Sequence, residues 1–137
     1  MISFHYEHTE KLYDERLTAG WISQIIIKDG FEVGEINFIF CDDTYLLGLN
    51  QQYLKHDTLT DVISFDNSLS KLIAGDIFIS AERVAENAKD FQVSFHEEIH
   101  RVMVHGVLHF MGFKDKTDED KKLMRTKENT CLSILNN

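Results

Sequence analysis

HEEIHRVMVHGVLHF, His96 to Phe110, holds two overlapping histidine pairs, and its reading fixes both the central element of the fold and the candidate chemistry. Ser94-Phe95-His96-Glu97 has the S-x-x-E form of a capping box, in which Ser caps the helix and Glu reaches back to it. A helix is therefore predicted from Ser94 to about Met111, with Gly112 as its C-cap. Residues on a helix advance by about 100° each. His96 and His100 share one face, and His105 and His109 share another. Nine steps separate His96 from His105, which turns the two pairs about 180° apart. They cannot serve one metal ion from a single helix.

The third ligand separates the pairs. Catalytic zinc sites use three protein ligands and keep the fourth position for water or substrate. In the extended zincin layout a Gly follows the second His by three residues, and a ligand follows the Gly by three more. For the first pair those positions hold Met103 and Gly106, and neither fits. For the second pair they hold Gly112 and Asp115, and both fit. The candidate site is His105, His109 and Asp115, holding one Zn2+. Glu97 is then a capping residue, and His96 and His100 take solvent or helix-packing roles. In H-E-x-x-H proteases the residue after the first His is the Glu that acts as general base. Here it is Gly106, which argues against peptide hydrolysis of that kind. A zinc-bound water, its pKa lowered from 15.7 to about 7, delivers hydroxide near neutrality, and the ion can also neutralise a phosphoryl oxygen. Two neutral imidazoles and one carboxylate leave the ion electropositive, which suits a phosphate ester.

Outward from this helix, the pattern predicts alternating elements. Ser3–Tyr6 is a short edge strand. Thr9 can cap a helix from about Glu10 to Lys28, stopped by Asp29-Gly30. Ile36, Phe38 and Phe40 alternate within a strand, Val33–Phe40. Asp42-Asp43-Thr44 offers caps for a helix from about Tyr45 to Leu54. Val62–Phe65 and Ile73–Ile79 are strands joined by the polar turn Asn67–Ser70, which suggests a hairpin. Ser80 opens a helix ending near Asp90, and Thr117-x-x-Asp120 begins a last helix to about Leu135. The acidic run Asp118-Glu119-Asp120 favours that helix N-terminus. The class is α+β: one small domain over 1–137, one mixed sheet of about four strands with helices packed on it, and a metal site at the end of a central helix.

Composition agrees. The chain has 137 residues, of which 43% are hydrophobic, enough for a core. No apolar run approaches a membrane span, and Met1–Glu7 lacks the layout of a signal peptide, so a cytoplasmic location is expected. Cys41 and Cys131 form neither a disulfide framework nor a Cys-based zinc site. The net charge of −9 disfavours non-specific nucleic-acid binding, which relies on Lys and Arg. Any nucleic-acid role needs a locally basic or metal-charged site.

Three stretches resemble the YbeY endoribonucleases, also called rRNA maturation factors. His105-Gly106-Val107-Leu108-His109-Phe110-Met111-Gly112-Phe113 is similar to that family's H-G-x-L-H-L-x-G-Y. Leu49-Asn50-Gln51-Gln52-Tyr53, followed by Asp57 to Phe65, resembles L-N-x-x-Y-R … D-x-P-T-D-V-L-S-F. Gly75-Asp76-Ile77-Phe78-Ile79-Ser80 resembles G-D-I-x-I-S. The order and spacing match from Ile36 to about Glu128. The resemblance implies a small zinc-bearing α+β protein with single-strand-specific endoribonuclease activity. It implies a role in 16S rRNA 3′-end maturation and ribosome quality control. Its expected partners are rRNA and the small ribosomal subunit, with ribosomal or assembly proteins, and no membrane.

Three positions depart from the family pattern. Asp115 stands where the family has His, and Asp is a competent zinc ligand. Leu54 stands where the family has an Arg suited to phosphate; Lys55 and His56 beside it are candidate catalytic substitutes. Leu59 replaces a Pro. Asp61 and Ser64 are expected to hydrogen-bond a strand end or to contact RNA. Asp76, at the start of a strand after Gly75, is expected to have a turn role rather than a catalytic one, and Lys114 and Lys116 to meet phosphate or solvate the loop. A non-catalytic assembly factor with a structural metal and a small metallohydrolase of another substrate are the alternative functions.

Overall fold

A computed structural model describes residues 1–7, 9, 14–54 and 60–135. The elements run β1 (Ile2–Tyr6), α1 (Glu15–Lys28), β2 (Glu32–Cys41), α2 (Asp43–Leu49), a π-helical turn (Asn50–Leu54), β3 (Val62–Asp66), β4 (Leu72–Ser80), α3 (Ala81–Phe91), α4 (Phe95–Phe110) and α5 (Asp118–Leu135). The mixed four-stranded sheet has the order β1-β2-β4-β3. β1 and β4 both run parallel to β2, and β3 returns antiparallel to β4. The hairpin and the edge position of β1 match the sequence pattern.

Local chemistry sets the boundaries. Asp42, Ser80 and Ser94 each accept a backbone N–H three residues ahead, as N-caps do. The predicted helix from Glu10 starts instead at Glu15, because the Asp14 side chain accepts from Leu17 N–H and caps it there. Residues 10–13 lie outside the described part. The predicted helix Tyr45–Leu54 begins two residues early and divides into α2 and the π-helical turn. Asp76 is not in a turn: it lies inside β4, where it accepts a hydrogen bond from Asn37 Nδ2 at 3.0 Å.

The core explains why α4 is central. Ile99, Val102, Met103, Val104, Val107 and Leu108 are all buried, and a helix apolar on most sides belongs inside a fold. One side meets the sheet and others meet α3 and α5. Each large apolar side chain so buried contributes roughly 1.5–3 kcal/mol. Gly106 makes the approach to the sheet close: a Cβ there would lie 2.9 Å from Ile77 Cδ1 and 3.1 Å from its Cγ2. At Gly75 in β4 a Cβ would lie 2.4 Å from the Phe65 carbonyl oxygen and 2.6 Å from the Phe110 ring. A smaller cluster of Cys41, Leu46 and Ile63 packs separately. Burial pushes the Cys41 and Cys131 thiols up to about 12 and about 11, which makes both inert packing residues.

His100 is a packing residue too, as the sequence suggested. It is 1% exposed, bonds Thr18 Oγ1 at 3.1 Å and the His96 carbonyl at 2.7 Å, and sits edge-on to Trp21. Burial pushes its imidazole down to about 4. The folded state therefore keeps His100 neutral while the unfolded chain takes a proton near its ordinary 6.5. Its contribution is complete above about pH 6.5 and drains away as pH falls toward 4, reaching about 3 kcal/mol. Urea unfolding across this range is expected to show the loss. Carboxylates titrate there as well, so the difference from a His100→Gln variant isolates it; parallel profiles would show that His100 is not the source.

Candidate metal centre

His105 and His109 project from the C-terminal half of α4, and Asp115 follows the reversal after it. Gly112, at φ +104°, makes that reversal. Its N–H donates to the His109 carbonyl and the Phe113 N–H donates to the Leu108 carbonyl, the two bonds of a Schellman motif. The turn also aims the Phe113 carbonyl back at the helix, where it accepts from His109 Nδ1 at 3.0 Å. A carbonyl can only accept, so this bond fixes His109 with Nε2 free of hydrogen when neutral. On His105, Nδ1 donates to Glu128 Oε2 at 2.7 Å, which fixes the same tautomer.

Three bare donor atoms therefore converge. His105 Nε2 and His109 Nε2 are 3.0 Å apart, and each lies 3.3 Å from Asp115 Oδ2. Two lone pairs and a carboxylate oxygen at this range repel unless a cation stands between them. A tetrahedral zinc with ligands at about 2.0–2.1 Å places its ligand atoms roughly 3.3 Å apart, close to all three separations. Imidazole donors favour zinc or a related transition metal over magnesium or calcium. Among the described residues, no other His, Cys, Asp or Glu completes this cluster, so a fourth position is left for water or substrate. The side chains are 23%, 32% and 43% exposed in chain order, which leaves the centre accessible.

The surrounding charge also favours a cation. Burial alone would lower the His105 pKa, yet the Glu128 hydrogen bond and charge, helped by Asp115 and Asp61, raise it. A field that stabilises a proton on His105 also stabilises a metal ion. Burial works to raise the Glu128 pKa, but His105 and Arg101 outweigh it and hold this carboxylate ionised. Arg101 Nη1 meets Glu128 Oε1 at 2.9 Å. A carboxylate gripping the far nitrogen of a ligand histidine is the usual second support of a metal site.

Two depressions flank the candidate ligands. One, of about 550 Å³, runs along β3 past Thr60, Ser64 and Asp66, with Asn50 in its wall and His105, His109 and Asp115 beside them. The other, of about 390 Å³, lies between α4 and α5 and includes Glu98, Arg101, Lys121 and Arg125. Asp61 lines both. Burial pushes its carboxyl up, more than nearby N–H groups and His105 pull it down. Its carbonyl also accepts from Ser80 N–H, so it has a strand-end role as well. Lys114 and Lys116 are exposed on either side of Asp115. With Lys121 and Arg125 they place positive charge around the centre of an acidic chain.

The structure thus brings together His105, His109 and Asp115, with Asp61 and Ser64 on the groove wall. Lys55 and His56 lie outside the described residues. His96 is exposed on another face of α4. Ser94 caps the helix as expected, and the Glu97 carboxylate stands 3.9 Å from Arg101. Sequence reasoning missed Glu128, Arg101 and Glu98. The i, i+7 spacing of Glu98 and His105, which puts both on one face, was the available signal.

Gly112→Ala tests the turn. The added methyl meets open space, so only the left-handed backbone is strained, at about 1–2 kcal/mol. Because the same turn aims the Phe113 carbonyl and Asp115, zinc affinity is expected to fall about tenfold or more. Competition with a chromogenic chelator measures it, and unchanged affinity would show that the turn does not position the ligands.

Comparison with known proteins gives concordant matches. A family model described as Endoribonuclease YbeY matches residues 3–136. The Endoribonuclease YbeY of Flavobacterium psychrophilum is 58% identical over 134 residues, covering 98% of this chain and 96% of the relative. That of Flavobacterium johnsoniae is 52% identical over the same length. The solution structure of TM1509 from Thermotoga maritima superposes with a TM-score of 0.71 at 26% identity, covering 98% of this chain and 89% of that one.

Proposed function

Because the chain belongs to the YbeY endoribonuclease family, we propose that it cuts single-stranded RNA with the help of a zinc ion held by His105, His109 and Asp115. The protein is a hydrolase of RNA phosphodiester bonds with a role in rRNA processing. Its substrate within that role is the 3′ end of 16S rRNA, and it also serves ribosome quality control. It works in the cytoplasm on the small ribosomal subunit. None of its described helices is long and apolar enough to cross a membrane.

The observation that carries the reading is the triangle of bare donors with its open fourth position beside a groove. When bound, zinc supplies positive charge for a phosphoryl oxygen and a water of lowered pKa. The chain's own residues do the rest. Glu128 and the Phe113 carbonyl hold both imidazoles in the ligating tautomer. Asn50, Thr60 and Ser64 offer hydrogen bonds to sugar and phosphate along the groove. Lys114 and Lys116 offer phosphate contacts on the other side of Asp115. The acidic body makes intrinsic RNA affinity weak, so placement on the ribosomal subunit supplies specificity. The open ligand position favours catalysis over a purely structural metal.

The test is cleavage of a labelled single-stranded RNA by nuclease-free protein, with chelator and then with zinc restored. Cleavage is expected to stop and return. Cleavage indifferent to chelation, or absent with stoichiometric zinc, would overturn the reading.

A further inference from the structure

The cavity between α4 and α5 contains a carboxylate that the metal centre does not use. Glu98 is 4% exposed and lines this space of about 390 Å³. Among the described residues its carboxylate has no hydrogen-bond or ion-pair partner within reach. Its acidic neighbours are occupied: Glu128 takes Arg101 and His105, and Asp61 takes Asn87 at 3.3 Å. Arg101 is committed to Glu128 and Asn129, each at 2.9 Å. A carboxylate whose oxygens open only onto this cavity is an acceptor with capacity to spare there, and a ligand that brings donors can take it up.

The rest of the cavity describes that ligand. Val62, Val102 and Met124 give it apolar walls. Phe91, 57% exposed at the end of α3, presents an aromatic ring to the same space. Lys121 and Arg125 supply positive charge. His105 and Asp115 belong to this cavity as well as to the groove, so a strand bound at the metal has its neighbouring nucleotide within reach of it. Single-stranded RNA is recognised by splaying bases onto aromatic rings and hydrogen-bonding their edges.

We propose that this cavity receives the base of a nucleotide next to the scissile phosphate, and that Glu98 selects guanine there. This rests on the endoribonuclease reading. A carboxylate offers two acceptors side by side. Guanine alone among the four bases places a ring N–H beside an exocyclic amine, two donors that such a pair can take together. Adenine and cytosine set an amine beside a ring acceptor. Uracil sets its one ring N–H between carbonyl oxygens that the carboxylate repels.

The experiment has two arms on the zinc-loaded protein. In the first, binding of the four nucleoside 5′-monophosphates is compared; all share the phosphate, so differences report the base. Guanosine monophosphate is expected to bind about five- to a hundredfold more tightly than the others, the range for one bidentate base contact. Glu98→Gln, nearly isosteric, replaces one acceptor by a donor and is expected to erase that preference or move it toward adenosine monophosphate. In the second arm, single-stranded RNAs differing at one position are cleaved and the cut sites mapped. Cuts beside guanine in the wild type, redistributed in the variant, support the proposal. Equal binding of all four nucleotides overturns it without reference to any variant, and so does a guanine preference that survives Glu98→Gln. Absence of zinc-dependent cleavage would defeat the endoribonuclease reading instead, and the nucleotide arm still decides the cavity.

Discussion

His109→Ala is expected to abolish RNA cleavage and to reduce bound zinc from about one equivalent to near none. His109 supplies one of the three donors that converge among the described residues, and its Nε2 lies 3.0 Å and 3.3 Å from the other two. With it gone, one imidazole and one carboxylate remain, too few to hold zinc against water. The Lewis-acid contribution is several kcal/mol, so the rate falls by about a thousandfold or more. The fold is expected to survive, because the side chain is 32% exposed and projects away from the core. Elemental analysis and a cleavage assay on the same nuclease-free sample check both halves. Retained activity with zinc lost would mean that the metal is not part of the chemistry. Retained zinc would mean that the ligand set is wrong.

Glu128→Ala is expected to damage both stability and metal binding, although Glu128 never reaches the metal. Its side chain is 7% exposed and bridges His105 and Arg101. Removing one partner of a buried pair leaves the other charge uncompensated, at about 3–5 kcal/mol. Arg101 keeps Asn129 and a distant Glu97, so the lower end applies. His105 meanwhile loses the bond that fixes its tautomer, which costs roughly 10–100-fold in metal affinity. Glu128→Gln separates the two effects: an amide oxygen still accepts from His105, but the charge is gone. Denaturant unfolding and zinc competition read the two quantities. A variant that loses stability at unchanged zinc affinity would reduce Glu128 to a packing role.

The three candidate ligands were legible because they obey local rules. His105 and His109 share a helical face, and Gly112 and Asp115 follow at fixed steps through one turn. The caps Asp42, Ser80 and Ser94 were legible for the same reason: each acts within three residues of itself. Thr9 and Asp14 are both capping types, and only the observed bond to Leu17 decides between them. Asp76 looked like a turn residue because it follows Gly75. The glycine is there instead because Phe65 and Phe110 press on it from outside the strand. Glu128 and Glu98 are of another kind. Glu128 is one of four acids on α5 and Glu98 one of two on the largely apolar α4, and the role of each exists only once α5 lies against α4. Likewise, the hairpin and the parallel pair could be anticipated, whereas the place of β4 between β2 and β3 depends on how α3 and α4 cover the sheet.

The seat of Gly106 on Ile77 bears on what this scaffold can become. Hydrolases that share the His-x-x-x-His spacing need a glutamate at this position to activate water for peptide cleavage. Here the position faces the sheet, where even a Cβ would lie 2.9 Å from Ile77 Cδ1, so a longer side chain has to displace Ile77 or lift α4 before reaching the groove. The route from this chemistry to a peptidase is therefore not a single codon. It also requires Ile77 or the seat of the helix to change, and intermediate sequences along that path would lose core packing beside the candidate site. A contact that looks purely mechanical thereby restricts the reactions open to the lineage.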